Sequence, residues 1–289
     1  MEDKLQLDEA LCEAQTKMDI NQFDKALPIL DKLVKTVEKS EPYKDDEDTE
    51  YHSFNEDLEE LLYKKFEKPK KDICNISEPI SKLYLAYGSA LMELKDKEKA
   101  KKALLTALHW NPVDPAIHLQ LAEWESHYGD KEEVLKCAEE ALKWSFHQKN
   151  IGNCYYYFGW YMDQIEVHSA ALGYYRLCSD WGDGDRKYLS DKETAMLVLN
   201  QNTEVPTLMD METYSIKYNV PLSYNSKIVD FVLEQGNKAA SDCDKETAVY
   251  FFSILYEMTG SENVKDTLDQ LKEELEMETE TETDTAISV

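Results

Sequence analysis

Apolar residues recur along this chain in steps of three and four, and between Tyr84 and Pro112 small and large ones follow a fixed order. Tyr84, Tyr87, Gly88 and Leu91 share one stripe, and Ala100, Leu104 and Ala107 share a second before Pro112 closes the unit. Such steps keep side chains on one face of an α-helix, so each stripe predicts an amphipathic helix. The order returns elsewhere. Gly88 is matched with Ala100, Ala122 with Val134, Gly159 with Ala171, Gly236 with Ala248 and Ala14 with Ala26, each pair twelve residues apart. Each second member is followed after four residues by Leu104, Ala138, Tyr175, Phe252 or Leu30, and three later by Ala107, Ala141, Cys178, Leu255 or Leu33. Paired small residues let two helix axes approach closely, so the elements predicted are antiparallel helical hairpins. Lys95-Asp96, Gly129-Asp130 and Cys243-Asp244 mark the turns. Glycine suits a left-handed residue ending the first helix, and aspartate suits the cap of the second.

This spacing resembles the tetratricopeptide repeat. The match is closest from Ser77 to Asp180 and looser from Leu5 to Ser40 and from Ser223 to Gly260. Phe146 stands where the first unit has Pro112, and Cys178 replaces an alanine. The steps from Gly88 to Ala122 and from Ala122 to Gly159 are 34 and 37 residues, whereas Ala14 to Gly88 and Gly159 to Gly236 span 74 and 77. Those longer steps are near two periods, which predicts a degenerate unit inside each gap. The resemblance implies an all-α fold, an α-solenoid of helical hairpins wound as a right-handed superhelix, whose concave face binds partners.

In the first gap, Ser53-x-x-Glu56 has the form of a capping box, and Phe54, Leu58, Leu61, Leu62 and Phe66 make an apolar stripe ending at Pro69. A charged run from Lys44 to Asp48 precedes it and predicts a solvated loop. In the second gap, Asp191 to Asn200 predicts a helix burying Ala195, Leu197 and Val198, and Thr207-x-x-Asp210 caps another that ends before Pro221. No stretch alternates long enough to predict a sheet. The chain then divides into an N-terminal hairpin (1–40), a charged loop and inserted helix (41–76), core repeats (77–185), a degenerate hairpin (186–222) and a C-terminal hairpin (223–275). Residues 276–289 alternate glutamate and threonine with nothing to bury, which predicts a disordered acidic tail.

Charge narrows the partners. With 59 acidic and 32 basic residues among 289, the formal net charge is −27, which repels nucleic-acid phosphates and anionic lipid. No nucleic-acid and no membrane partner is expected, and a basic protein or peptide is favoured. No run of about 18 apolar residues and no basic-then-apolar start is present, so the expected location is cytoplasmic. The six cysteines lack C-x-x-C spacing and read as reduced, mostly buried thiols.

Catalytic signatures are sparse. The six histidines form no i, i+4 pair, no serine lies in a G-x-S-x-G turn, and no glycine-rich phosphate loop occurs. Asp180 to Asp185 holds three carboxylates and two glycines but lacks the ligand order of a calcium loop, so it reads as an interhelix turn. No metal, no cofactor and no catalytic residue is assigned. An enzyme on an α-solenoid remains the minority alternative.

In the family that the chain resembles, the first helix of each hairpin lines the concave groove. That geometry implies a partner-binding groove of Leu85, Ser89 and Met92 from one unit, Leu119 and Glu123 from the next, and Asn153, Tyr156, Trp160 and Asp163 from the third. Aromatic and methionine surface flanked by carboxylates suits a segment partly apolar and partly basic. The alternative is that Tyr156 and Trp160 pack on the following helix, since Tyr155, Tyr156, Tyr157, Phe158, Trp160 and Tyr161 cover every side of theirs. Repeat domains that grip the terminal carboxylates of chaperones need cations where this chain has Leu85, Ser89, Gln120, Asn153 and Tyr157, which argues against that clamp. The functional expectation is a non-catalytic interaction scaffold, with an intracellular sensor of a short signalling peptide as the alternative. The oligomeric state does not follow from these features.

Overall fold

In the computed structural model, which describes residues 7–40, 43–181 and 205–287, the described residues form thirteen helices and two short strands. The chain begins with α1 (Asp8–Asp19), α2 (Phe23–Ser40), β1 (Thr49–His52), α3 (Asp57–Phe66) and β2 (Asp72–Asn75). Three hairpins follow: α4 (Ile80–Glu93) with α5 (Lys97–Trp110), α6 (Pro115–Tyr128) with α7 (Lys131–Trp144), and α8 (Gln148–Gln164) with α9 (His168–Asp180). Beyond them lie α10 (Leu208–Tyr218), α11 (Ser226–Ser241), α12 (Lys245–Thr259) and α13 (Glu262–Ile287). The architecture is an all-α helical repeat solenoid. The helix expected at 191–200 and most of the loop from Asp180 to Asp185 lie outside the described residues.

The small-residue pairing has a direct physical cause. All ten members of the twelve-residue pairs are buried. A Cβ added to Gly88 would stand 2.7 Å from Leu104 Cδ2, and one added to Gly159 would stand 2.6 Å from the Tyr175 ring. The residue sixteen positions on therefore occupies the space that a side chain would need. Second helices pack on the following first helices, α2 on α4, α5 on α6 and α7 on α8, which carries the core from hairpin to hairpin.

The turns differ from expectation. Asn21, Lys95, Glu166 and Cys243, each seven residues after its small position, adopt φ of 57°, 67°, 63° and 60°, whereas Gly129 has φ −118° and is not left-handed. Glycine at 129 leaves room for the Glu125 carboxylate, since a Cβ there would fall 1.7 Å from Glu125 Oε2 and displace it. Asp130 and Asp244 accept from Glu132 N at 2.8 Å and Thr247 N at 3.1 Å, as N-caps do. Asp96 makes no cap bond of this kind and holds Lys99 Nζ at 2.7 Å.

The insertion between α2 and α4 holds a parallel ribbon that the pattern did not foretell. β1 and β2 pair from Thr49↔Asp72 to His52↔Asn75, each strand only four residues long and so too short to show alternation. The charged run before β1 is exposed, and it also fastens the strand: Asp46 Oδ1 accepts from Asp48 N and Thr49 N, and Asp45 Oδ1 from Tyr51 N. Ser53 does not cap α3. It is buried, donates to Glu78 O at 2.7 Å and accepts through its carbonyl from Ser81 Oγ at 2.7 Å, tying the insertion to the start of α4. Thr207 and Asp210 do form the expected capping box, and α10 ends at Asn219 in the left-handed conformation before Pro221.

The C-terminal hairpin of α11 and α12 shares its core with the insertion. Phe54, Leu58 and Leu62 pack with Ile228, Phe231, Val232 and Phe252, together with Val113 and Phe146 from the turns before α6 and α8 and Trp144 from the end of α7. Gly236 is buried against Phe252 and Phe251, so the hairpin is internally regular. After it, α13 runs on to Ile287 where an unstructured end from 276 was predicted. Leu268 is buried in the same core, Lys245 Nζ reaches Glu274 at 3.1 Å, and glutamate itself favours helix.

Candidate functional site

The first helices α4, α6 and α8 neighbour one another, and each leaves one half-exposed stripe. On α4 the stripe is Leu85 and Ser89, on α6 Gln120 and Glu123, and on α8 Asn153, Tyr156, Tyr157, Trp160 and Asp163. Ser89, Glu123 and Trp160 each follow the small residue of their helix by one position, so they are equivalent places in successive repeats.

Two of the residues assigned to the groove from sequence are elsewhere. Met92 is 4% exposed and Leu119 is 7% exposed, and both belong to the hydrophobic cores. Their helices turn them toward the neighbouring helices, so they support the face without forming its surface. Tyr156 is intermediate: its ring lies 5.8 Å from Tyr175 on α9 and 5.1 Å, edge-on, from Tyr157. The packing alternative therefore describes much of Tyr156, while Trp160 keeps part of its surface outside the same core. The aromatic run is sorted by burial, with Tyr155, Phe158 and Tyr161 inside and Tyr156, Tyr157 and Trp160 half out.

Around Glu123 the face is chemically specific. Its carboxylate accepts from Gln120 Nε2 at 2.6 Å, and that amide also lies 3.9 Å from Met92 Sδ. Burial holds the Glu123 carboxyl above the ordinary range, with Glu93 adding to the rise and His127, Gln120 and Lys95 opposing it. Tyr157 is raised well above its usual value by burial first and by the Glu123 charge second, so the phenol on α8 feels the carboxylate on the neighbouring α6. Asp163 pairs with His168 Nδ1 at 3.0 Å, and Ser89 Oγ donates to Leu85 O in its own helix. Gln120 and Tyr157 were not among the groove residues assigned from sequence, yet each precedes the small residue of its helix, Ala122 or Gly159, by two positions, so they hold equivalent places on α6 and α8.

A second polar cluster sits under the insertion. Glu59 Oε2 accepts from Asn55 N at 2.6 Å and Asn111 Nδ2 at 2.8 Å, while Asp114 accepts from Ala116 N at 2.8 Å and Asn55 Nδ2 at 2.7 Å. Both carboxyls are buried and both are raised, Glu59 to about 7, chiefly by desolvation. These hydrogen bonds join α3 to the turn before α6. Cys154 and Cys178 are also buried, and burial pushes each thiol up to about 12. Among the described residues, no group of three or more His, Cys, Asp or Glu is placed to hold a metal ion. No helix among them is long and apolar enough to cross a membrane.

Residues 81–114, which span α4, α5 and the turn beyond, match the tetratricopeptide repeat family model, and the hairpins of the described residues make the chain a helical repeat protein. A solved structure of Pseudomonas aeruginosa PilF is similar at 12% identity with a TM-score of 0.46, covering 91% of this chain and 97% of that one. No curated protein matches the chain.

Proposed function

We propose that this protein is a non-catalytic scaffold that binds a protein or peptide segment, partly apolar and partly basic, along the stripe formed by α4, α6 and α8. The observation that carries the reading is the half-exposed strip of Tyr157 and Trp160 next to the desolvated Glu123 on adjoining first helices. Aromatic anchors in part-desolvated surroundings are where binding energy concentrates. A net charge of −27 favours a basic partner in the same way. The buried carboxylates Glu59 and Asp114 are occupied by internal hydrogen bonds, which supports a structural part for them. The six unpaired cysteines fit a reducing compartment such as the cytoplasm.

Capture of partners from native lysate, followed by affinity measurement, tests this. Trp160→Ala should weaken binding by about 2 kcal/mol or more, mainly through faster dissociation, while Lys102→Ala on the exposed side of α5 should leave it unchanged. If the folded Trp160 variant binds as the parent does and the α5 variant does not, the partner sits on the opposite surface and the groove reading is wrong.

A further inference from the structure

We infer that the middle of this groove takes one basic side chain of its partner, a guanidinium or ammonium seated on the Glu123 carboxylate of α6, with the half-exposed aromatic stripe of the adjoining α8 to one side. The inference rests on the stripe of α4, α6 and α8 being the binding surface.

Three observations converge on Glu123. First, it is the one carboxylate among the equivalent positions Ser89, Glu123 and Trp160 of the three central repeats, so the charge is local to the middle of the face. Second, its direct hydrogen-bond partner is neutral: Gln120 Nε2 donates at 2.6 Å, and no cation of the described residues lies within ion-pair distance. His127 and Lys95 help only from farther away, and Glu93 works against them. Third, α8 adjoins α6 and brings half-exposed Tyr157 and Trp160 to this face, where the Glu123 charge is felt at the Tyr157 phenol.

A carboxylate taken largely out of water without a counter-ion is costly to keep ionised, and an incoming cation relieves that cost through a charge-assisted hydrogen bond. Aromatic faces nearby add cation–π attraction and cover the alkyl stem of lysine or arginine. Gln120 and Met92, tied to each other at 3.9 Å, hold the carboxylate side of the subsite in place. The groups facing Glu123 are Glu93 and Lys95 at the end of α4, His127 and Gln120 on α6, and Tyr157 on α8. Burial raises the Glu123 carboxyl, and a bound cation favours its ionised form and opposes that rise. Affinity for a cationic segment then rises with pH above the ordinary carboxylate range.

Randomised peptides selected on the full-length protein supply the probe. Each selected peptide is resynthesised with arginine replaced by citrulline, or lysine by norleucine, one position at a time. One position should lose at least tenfold in affinity at pH 7.5. That loss should vanish in Glu123→Gln, a near-isosteric change, and binding of the cationic parent peptide should weaken at pH 5 while its neutral analogue stays flat. Binding that needs Trp160 but has no cation-dependent position, or a cation effect that persists in Glu123→Gln, overturns this inference and leaves the groove reading intact. Binding that needs neither Trp160 nor Glu123, or failure to select any peptide, overturns both. Circular dichroism of each variant confirms that it is folded.

Discussion

Gly88 shows how a single missing side chain sets the distance between two helices. Leu104 fills the position where a Cβ would project, with Cδ2 at 2.7 Å, the branch carbon Cγ at 2.8 Å and Ala100 O at 3.4 Å, so the whole buried side chain would have to move and not its tip alone. Gly88→Leu should therefore force α4 and α5 apart and destabilise by about 1–3 kcal/mol through overpacking. Denaturant unfolding reads the change, and an unaltered midpoint would mean that this crossing yields easily. The same residue scale explains the turn that sequence misread. At Gly129 the constraint is the Glu125 carboxylate, which Lys101 Nζ holds at 2.7 Å, and the backbone sign plays no part.

At the scale of elements, α3 is held by ionisable groups whose state depends on pH. Folding raises Glu59 from 4.5 to about 7, with Asp114 and Glu56 as its acidic neighbours. The folded state thus binds more protons than the unfolded state between pH 4.5 and 7. Stability contributed by this group is present at the acid side of that window and declines as pH rises through it. Glu59→Gln keeps the acceptor for Asn55 N and Asn111 Nδ2 and abolishes the ionisation. The variant should be more stable than the parent by about 1–3 kcal/mol at pH 8 and closely similar at pH 5. Thermal melts at the two pH values check this, and parallel pH profiles for parent and variant would show that the cluster does not titrate.

For the molecule as a whole, the decisive contact is the return of α11 and α12 onto the insertion. His147, in the turn before α8, receives Glu56 Oε1 on Nε2 at 3.0 Å and Glu257 Oε2 on Nδ1 at 3.1 Å, while Gln148 N donates to Glu257 Oε1 at 2.9 Å. Both ring nitrogens donate in this arrangement, so the imidazole is protonated, and its pKa is raised to about 10, first by the Glu257 bond and then by Glu56. The charged clamp is complete below pH 6.5 and is lost as pH climbs through about 10. The ring is about a third exposed, so water screens the pair. His147→Ala should cost about 1 kcal/mol and raise hydrogen exchange across 226–259 at pH 7.5 more than elsewhere. Uniform exchange would show that the apolar core around Phe231 and Trp144 holds the hairpin without the clamp.

Local order in this protein was legible because it is written in short separations. The twelve-residue pairs, the places of the turns and the stripes that feed the core all act within one hairpin, where helix period and side-chain size suffice. The resemblance to the repeat family implied outward places for Glu123, Asn153 and Trp160, and these are half-exposed on α6 and α8. Contacts between distant segments were not legible. That Ser53 serves α4 instead of α3, that β1 and β2 pair across α3, that Met92 and Leu119 turn inward and that the last hairpin rests on the insertion depend on distant partners, from 23 residues away across the ribbon to 110 between His147 and Glu257. The sequence alone determined which helices form and how each pairs with its neighbour. Only the tertiary structure decided which of their equivalent faces met water, because burial is set by whatever chain arrives from elsewhere to cover them.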